Sequence, residues 1–406
     1  MAYLELNIAL TAEQSALRDQ AHKFAAEVLR PASLELDNIA DPEELIKSPM
    51  LWDTMKKGYE LGYHNVLMPD AYGGLGLDPL EVHLVLEEMG WGSAGFTIAI
   101  GVSCFPAFFA CMLPNDLLEE TIIYPFCSNR DATFIGCWAI TEPDHGTDQL
   151  CPGTPGFRDP KIKGQLRARL DGDEWVISGQ KSAWVSNGPI ATHALAYLNI
   201  DPSMGLAGGG ICIIPLNGPG VSRGRALDKL GQRAVSQGEI YFDDVRVPRD
   251  YMLVDQESYE AMLDVTLSTA NAAMGAIFTG TARAAYEEAL AYSKERVQGG
   301  KPLFEHQIIK HKLFNMFMKV EAARALSRAA MIYNYNNTPP SIEYSISSKV
   351  FCTNTAFEVA NEAVQIFGGY GMSKEYAIEK IFRDARAALI EDGANDSLMI
   401  TGAHKL

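Results

Sequence analysis

The spacing of apolar residues divides the chain into three regions, the first of which is helical. Between about residues 11 and 125, apolar side chains recur every three to four positions, which predicts amphipathic helices. The clearest run comprises Ala21, Phe24, Ala25, Val28 and Leu29. Thr11 and Gln14 fit a capping box, in which each side chain bonds a free backbone donor, so we expect the first helix to begin there.

The second region, from about residue 131 to 248, has the alternation typical of β-strands. Residues 166–170 alternate in polarity, the pair Asp171-Gly172 is a turn signal, and a second apolar run follows at 175–177. Further short strands are predicted at 209–215 and 238–242. This region is therefore predicted to be an antiparallel β-domain inserted between two helical regions.

The third region, from about residue 251 onward, returns to a helical pattern. Breaks at residues 299–302, 338–340 and 368–371 leave four predicted helices of roughly 25–40 residues, whose short connections suggest an antiparallel bundle. The predicted fold class is α+β, with an N-terminal helical domain, a central antiparallel β-domain and a C-terminal four-helix bundle. The predicted domain bounds are 1–130, 131–249 and 250–406.

Composition and charge narrow the classes of function. The chain has 406 residues, 47% of them hydrophobic and 21% charged, which is typical of a soluble globular protein. Its net charge of −17 argues against binding to nucleic acid or to an anionic membrane, because both need clustered basic surface. No apolar stretch reaches the roughly 18–20 residues of a membrane span, so no span is expected.

The cysteines and the first helix signal indicate a compartment. Seven cysteines are scattered without a C-x-x-C pair, which predicts free thiols in a reducing compartment and no metal site. The helix signal already begins at residues 10–14, so no targeting segment is expected. A cytoplasmic location in a bacterium is the resulting expectation.

Five segments carry a resemblance to a known family. They are residues 137–148, 179–188, 230–233, 242–248 and 363–371. In order and spacing they resemble the acyl-CoA dehydrogenases, flavoproteins that oxidise acyl-CoA thioesters to α,β-unsaturated products, and the resemblance covers nearly the whole chain. It implies FAD as cofactor, because oxidising an unactivated carbon–carbon bond needs an acceptor that no side chain provides. It also implies a homotetramer built as a dimer of dimers, with electron-transferring flavoprotein as the electron acceptor.

The resemblance implies two groups of FAD-binding residues. The first group lines the flavin ring and comprises Trp138, Ile140, Thr141, Trp184 and Ser186. The second group completes the FAD site of a neighbouring subunit and comprises Arg296, Gln365, Gly368 and Gly369. A guanidinium such as that of Arg296 suits a pyrophosphate through paired hydrogen bonds. The second group departs from the family at Gly299, where a phenylalanine is usual.

Further residues are implied for the acyl-CoA. Thr147 stands where the family usually has a serine that contacts coenzyme A. Phe96, Thr97 and Gly101 are expected to form the floor of the acyl pocket, with Gly101 leaving space, although core packing explains the same residues equally well. The connector 149–164 is longer than expected for the family and carries basic residues, which either meet the coenzyme A phosphates or form a solvated face.

The implied catalytic base lies near the C-terminus. Asp392 takes the position of the family's usual catalytic glutamate, with Glu391 as second choice and Gly393 following as in the family. This carboxylate would remove the substrate α-proton while the β-hydride passes to flavin N5. Some members place the base on an earlier bundle helix, where this chain has Ala270 and Asn271 and therefore lacks it.

An aspartate base changes the geometry of proton removal. At unchanged backbone its carboxylate retreats by roughly 1.2–1.5 Å relative to that of glutamate. A misplacement of about 1 Å can cost on the order of a hundredfold in rate. We therefore predict an acyl group that is branched at the α-carbon or alicyclic. Two other interpretations stay open: a flavoprotein oxidase of the nitroalkane-oxidase type, which also uses an aspartate base, and a non-catalytic flavin-binding protein.

Overall fold

The computed structural model describes residues 10–406, so the first nine residues of the predicted N-terminal domain lie outside it. The N-terminal helices are α1 (Ala12–Phe24), α2 (Arg30–Asp37), α3 (Pro42–Lys47), α4 (Pro49–Glu60), α5 (Pro79–Gly92), α6 (Ala94–Val102), α7 (Phe105–Met112), α8 (Asp116–Leu118) and α9 (Tyr124–Ser128). The predicted capping box is confirmed. Gln14 N–H donates to Thr11 Oγ1 (3.1 Å), and Thr11 N–H donates to Gln14 Oε1 (3.2 Å).

Helices α6 and α7 connect the N-terminal domain to the sheet. Both are largely buried, and a bend of 44° separates them. Asn187 attaches α6 to the sheet, because its side-chain amide donates to the carbonyl oxygens of Ala99 (2.8 Å) and Gly136 (3.2 Å). The predicted acyl-pocket helix is therefore held at the boundary between the two domains.

The central domain is one eight-stranded sheet. Its strands are β1 (Gly136–Ala139), β2 (Arg167–Asp171), β3 (Glu174–Ser186), β4 (His193–Asn199), β5 (Gly209–Pro215), β6 (Val221–Arg223), β7 (Gln237–Pro248) and β8 (Met252–Val254). Their spatial order is β6-β7-β3-β2-β4-β5-β8, with β1 paired to β4. The predicted hairpin is confirmed, since β2 and β3 pair antiparallel from Arg167↔Ser178 to Asp171↔Glu174.

The sheet is mixed, because β4 pairs in parallel with β1 and, at Arg167↔Asn199, with β2, so the prediction of an antiparallel domain is wrong for these pairs. β1 pairs with β4 in parallel, from Gly136↔His193 to Ala139↔Ala196. A parallel pair needs a long crossover. Here the crossover comprises the connector 149–164 and the β2–β3 hairpin, which lie between the two strands in the chain. No local pattern signals so distant a partner.

The C-terminal domain is a helical bundle with three long helices and two short ones. They are α10 (Tyr259–Glu295), α11 (Gln307–Tyr335), α12 (Ile342–Phe367), α13 (Ala377–Ala387) and α14 (Asn395–Ala403), with a hairpin of β9 (Val297–Gln298) and β10 (Lys301–Pro302) between α10 and α11. The prediction of four long helices is wrong, because the last helical region is divided by a turn. Asp392 (φ 52°) and Gly393 (φ 95°) form that turn. Left-handed angles suit glycine and are tolerated by aspartate.

Helix α10 lies at the centre of the molecule and packs against α5 and α12. Its crossing with α5 is close, since a Cβ on Gly90 would lie 2.2 Å from the Ile277 carbonyl oxygen. In the part of the chain that the structure describes, α10 is long and apolar enough to cross a membrane by length and composition, and α6 with α7 pass the same test as a bent pair. However, 67% of the most apolar window of α10 is buried inside the protein, as the core helix of a bundle requires.

Candidate active site

Asp392 lies in the turn between α13 and α14 with a left-handed backbone (φ 52°). Within residues 10–406, neither the Asp392 carboxylate nor its backbone N–H makes a hydrogen bond. Buried polar groups normally have such partners. Both groups therefore remain available to a bound ligand.

Two bundle helices fix the backbone of this turn. Lys349 on α12 is fully buried, and its Nζ donates to the Gly393 carbonyl oxygen at 2.7 Å. Asn271 on α10 donates from Nδ2 to the Asp392 carbonyl oxygen at 3.3 Å. This part of α10, which includes the adjacent Ala270, therefore lies beside the Asp392 turn.

The central domain reaches the same turn through Thr147. Its Oγ1 accepts a hydrogen bond from the Ala394 backbone N–H at 3.1 Å. The resemblance implied a contact between Thr147 and coenzyme A, and in this structure the hydroxyl oxygen is engaged by the chain itself. Thr147 therefore joins the loop after β1 to the turn that carries Asp392.

Glu391 has a different environment from that of Asp392. Its Oε1 accepts a hydrogen bond from Gln232 Nε2 at 2.5 Å. Gln232 lies between β6 and β7 with a left-handed backbone (φ 52°), and Asp384 accepts its backbone N–H at 2.5 Å. A left-handed non-glycine residue held by such contacts marks a constrained position. The Glu391 carboxylate is thus tied to the protein, whereas within residues 10–406 the Asp392 carboxylate is not.

The two carboxyl groups titrate near neutrality. They lie deep in the protein, although part of each side chain is accessible. Burial raises the pKa of Asp392 to about 6, and the charge of Lys349 opposes that rise. Burial, and then the charge of Asp392, raise the pKa of Glu391 to about 7. A general base works best with a pKa near the working pH, so Asp392 suits proton abstraction.

The residues expected around the flavin ring differ in exposure. Trp138 and Ile140 are buried, and the Trp138 ring packs against Phe105 with 5.6 Å between ring centroids. Thr141 is half-buried, and its carbonyl oxygen accepts the Ser182 N–H at 2.8 Å, which puts it beside β3. Among the described residues, no partner engages the Thr141 hydroxyl.

Trp184 and Ser186 follow on the same strand, β3. The Trp184 side chain is 57% exposed, which is unusual for the largest apolar residue type. Ser186 Oγ accepts a hydrogen bond from Gln237 Nε2 at 3.1 Å. An exposed indole near two half-buried hydroxyls fits a flat aromatic cofactor with a polar edge, so these residues fit FAD.

The second group of expected FAD residues gathers on an exposed face of the C-terminal domain. The Arg296 guanidinium carbon lies 5.5 Å from the centroid of the Tyr370 ring. Gly368 and Gly369 are exposed, and a Cβ at either would meet no atom within 4 Å. Gln365 is exposed one turn earlier on α12. This face fits the binding of an extended anion such as a pyrophosphate.

Residues expected in the acyl pocket fall into two kinds. Phe96 is fully buried, and the buried Thr97 hydroxyl donates to the Ser93 carbonyl oxygen at 2.8 Å, so both also pack the core. Gly101 instead borders open space, since a Cβ there would meet no atom within 4 Å. The start of α6 abuts the site, because a Cβ at Gly95 would lie 3.3 Å from the Gln232 backbone.

The basic connector is partly occupied by contacts within the chain. Arg158 forms an ion pair with Glu260 (2.5 Å) and donates to the Pro152 carbonyl oxygen (3.2 Å). Lys161 and Lys163 are exposed. Arg158 is therefore engaged in contacts within the chain, whereas the side chains of Lys161 and Lys163 are accessible to an anion.

Sequence reasoning missed the residues that hold the turn. Gln232 belongs to a segment that carried the family resemblance, yet the sequence assigned it no role. Lys349 gave no signal, because a lone lysine on a helix is usually solvated. His145 lies in the loop after β1, with its Nδ1 2.7 Å from Asp148 Oδ2. Within residues 10–406, no three His, Cys, Asp or Glu side chains group to hold a metal ion.

Comparison with known proteins identifies the family. Profiles of the acyl-CoA dehydrogenase N-terminal, middle and C-terminal domains match residues 11–110, 137–245 and 262–406. Cyclohex-1-ene-1-carbonyl-CoA dehydrogenase from Geobacter metallireducens is 31% identical over 97% of this chain and 98% of its own.

Solved structures agree with the profiles. Butyryl-CoA dehydrogenase from Megasphaera elsdenii has a TM-score of 0.85 and 30% identity, over 98% of this chain and 99% of its own. A chain in the structure of the electron transferring flavoprotein of Acidaminococcus fermentans has a TM-score of 0.85 and 29% identity, over 98% of both chains. The chain therefore belongs to the acyl-CoA dehydrogenase family and is an oxidoreductase that acts on acyl-CoA thioesters.

Proposed function

We propose that the enzyme is an FAD-dependent dehydrogenase that introduces an α,β double bond into an α-branched or alicyclic acyl-CoA, with Asp392 as the base. One observation carries this proposal: the Asp392 carboxylate has no hydrogen-bond partner among residues 10–406, whereas Glu391 is bound by Gln232. A base must leave its acceptor oxygen free for the substrate proton.

Groups of this chain account for the removal of the substrate α-proton. The Asp392 carboxylate takes the α-proton, and the electron pair of the broken C–H bond moves toward the thioester carbonyl. The Asp392 backbone N–H, which has no partner within the described residues, is the donor available to the resulting enolate-like oxygen. Fixed donors of this kind stabilise charge that develops in the transition state.

FAD, when bound, would supply the two-electron acceptor for the β-hydride. Trp184, Thr141 and Ser186 would hold its ring. Arg296, Gln365, Gly368 and Gly369 of a neighbouring subunit would hold the remainder, which is why we propose a homotetramer. Electron-transferring flavoprotein is the proposed acceptor, and the likeness to a chain in such a flavoprotein's structure supports it.

Two features support the proposed substrate class. An aspartate is one methylene shorter than the family's glutamate, and Gly101 borders open space. Both features favour a bulky group at or near the α-carbon. The similarity to a relative that is named for a cyclohexene thioester supports an alicyclic substrate.

The test is anaerobic reduction of the bound flavin by a panel of CoA thioesters: straight-chain, α-methyl-branched, cyclic, aromatic and dicarboxylic. We expect bleaching of the flavin by branched or cyclic thioesters, at rates at least about tenfold above those of straight chains of equal carbon number. A protein that binds no FAD, or that prefers straight chains, would contradict the proposal. Fast reoxidation of the reduced flavin by oxygen would instead favour the oxidase interpretation.

A further inference from the structure

Lys349 is a buried cation whose direct contacts contain no carboxylate. Its side chain is fully buried on α12, and its Nζ donates to the Gly393 carbonyl oxygen and to Asn395 Oδ1, both at 2.7 Å. Removing an ammonium from water costs several kcal/mol in a real protein interior, and two neutral oxygens offset only part of that cost. We therefore expect the buried Lys349 ammonium, which has no carboxylate among its direct contacts within residues 10–406, to have a role beyond packing.

The two carboxylates of the active-site turn act electrostatically on Lys349. Burial lowers the pKa of Lys349 to about 8, and the charges of Asp392 and Glu391 oppose that lowering, although neither forms a direct ion pair with it. Reciprocally, the Lys349 charge favours the ionised forms of both carboxylates. The Lys349 charge thus acts on the proposed base inside the protein, where a charge is screened less than in water.

The same side chain fixes the shape of the turn. Gly393, whose carbonyl oxygen it binds, directly follows Asp392, and both residues have left-handed angles (φ 95° and 52°). Asn395 is itself held by Thr353, with Nδ2 donating to Oγ1 at 3.0 Å. Lys349 therefore connects α12 to both ends of the segment from Gly393 to Asn395.

We propose that Lys349 is a positioning residue for α-proton abstraction: it anchors the turn that presents Asp392, and its charge keeps the Asp392 carboxylate ionised before substrate binds. This inference rests on the proposed role of Asp392 as base. A neutral donor in place of Lys349 would keep part of the anchor and lose the electrostatic effect, so the two contributions can be separated.

Other charged groups near the turn do not duplicate this effect. Lys229, between β6 and β7, acts on Glu391, and its Nζ donates to the carbonyl oxygens of Gln232 (3.1 Å) and Val235 (2.7 Å). On α13, Lys380 is paired with Asp384 at 2.5 Å. Among the charged side chains of residues 10–406, only Lys349 combines an effect on Asp392 with a bond to the turn itself.

Exchange of the substrate α-hydrogens with solvent measures α-proton abstraction separately from flavin reduction. A thioester without β-hydrogens, 3,3-dimethylbutanoyl-CoA, can lose an α-proton to the base but has no β-hydride to transfer. Its α-hydrogens would exchange with D2O in the FAD-bound enzyme, and mass spectrometry would follow the exchange from pH 5 to 9. We expect K349M and K349Q to move the half-maximal pH upward by about one unit, which is about a tenfold loss at pH 5.

The variants distinguish charge from anchoring. K349Q should keep more of the high-pH rate than K349M, since its amide can still donate to Gly393, whereas both lose the charge. N395A should lower the rate without moving the half-maximal pH. K319M is the matched control, because Lys319 is a surface lysine of the same bundle paired with Glu358, and it should exchange like wild type.

Unchanged pH curves in K349M and K349Q with FAD bound would overturn the inference, as would a downward shift. If K349M folds poorly, the K349Q curve decides. Failure of the proposed function would look different: the wild-type enzyme itself would then exchange no α-hydrogen, or D392N would exchange as fast as wild type.

Discussion

At the scale of single residues, the proposed base Asp392 should make the rate depend on its own protonation. Its pKa is raised to about 6 by burial, and abstraction needs the ionised form. We predict that kcat/KM rises with pH through about 6 and levels off above about 8, once the pair with Glu391 is ionised. Stopped-flow flavin reduction across this range would measure the curve. E391Q is the control and should keep the rise in kcat/KM near pH 6. A rise in the wild-type enzyme near pH 4 instead would show that Asp392 is not buried as described.

The same shift predicts an effect on stability. Because the folded pKa of Asp392 lies above its ordinary value of 3.8, the folded state favours the protonated carboxyl. The resulting penalty is absent below about pH 4 and complete once the pH exceeds about 6. D392N should therefore be more stable than wild type at pH 8, by on the order of 1–2 kcal/mol, with a smaller difference at pH 5.5.

Thermal unfolding of D392N and wild type at the two pH values measures this difference. Asparagine tolerates left-handed angles as aspartate does, so the substitution adds no backbone strain. A D392N protein that melts lower than wild type at pH 8 would contradict the prediction.

At the scale of elements, helix α6 offers a test of the acyl pocket. A side chain at Gly101 would meet no atom within 4 Å at its Cβ, so G101V should fold, bind FAD and melt like wild type. If Gly101 borders the acyl group, G101V should lower kcat/KM for cyclic thioesters by about tenfold or more relative to short straight chains. Equal losses for both classes would place Gly101 outside the pocket.

G90A provides the contrast for this helix experiment. A Cβ at Gly90 would lie 2.2 Å from the Ile277 carbonyl oxygen, so α5 and α10 would have to separate. We expect a markedly lower melting temperature for G90A, of a size typical of overpacked cores. The comparison separates a glycine that preserves a helix crossing from one that preserves open space.

At the scale of the whole molecule, exposed apolar side chains on α11 indicate an assembly surface. Phe314 and Met318 are 61% and 50% exposed and lie one turn apart on the same face. We predict that the double substitution F314E/M318E reduces the molecular mass in solution and weakens FAD retention, because Arg296 of a neighbouring subunit would no longer reach the cofactor. L170E, at a 44% exposed leucine of the sheet, is the control and should change neither. A variant that keeps the molecular mass and the FAD content of wild type would refute this role for α11.

The sequence predicted what depends on local periodicity and motif order. The capping box at Thr11, the hairpin at Asp171-Gly172 and the order of helical and β regions all follow from neighbouring residues. The parallel pairing of β1 with β4 did not, because it joins residues about sixty positions apart and leaves no periodic trace.

The residues of the candidate site also differ in whether the sequence alone could identify them. Asp392 was recognisable from motif position, whereas Lys349 and Gln232 became meaningful only through partners at 2.7 and 2.5 Å that are distant in the chain. A lysine inside an apolar helix pattern carries no sign of what it contacts. Hydrogen bonds of this kind distinguish the Asp392 carboxylate, which has no partner within residues 10–406, from the Glu391 carboxylate, which is bound by Gln232.

Single-turnover reduction of the flavin by a cyclohexanecarbonyl thioester, without oxygen, tests most directly which carboxylate accepts the proton. With FAD bound, D392N should reduce the flavin slower than wild type by a factor on the order of 10²–10⁴, and E391Q should stay within about tenfold. A D392N enzyme that reduces its flavin at the wild-type rate, while E391Q is inactive, would contradict the assignment.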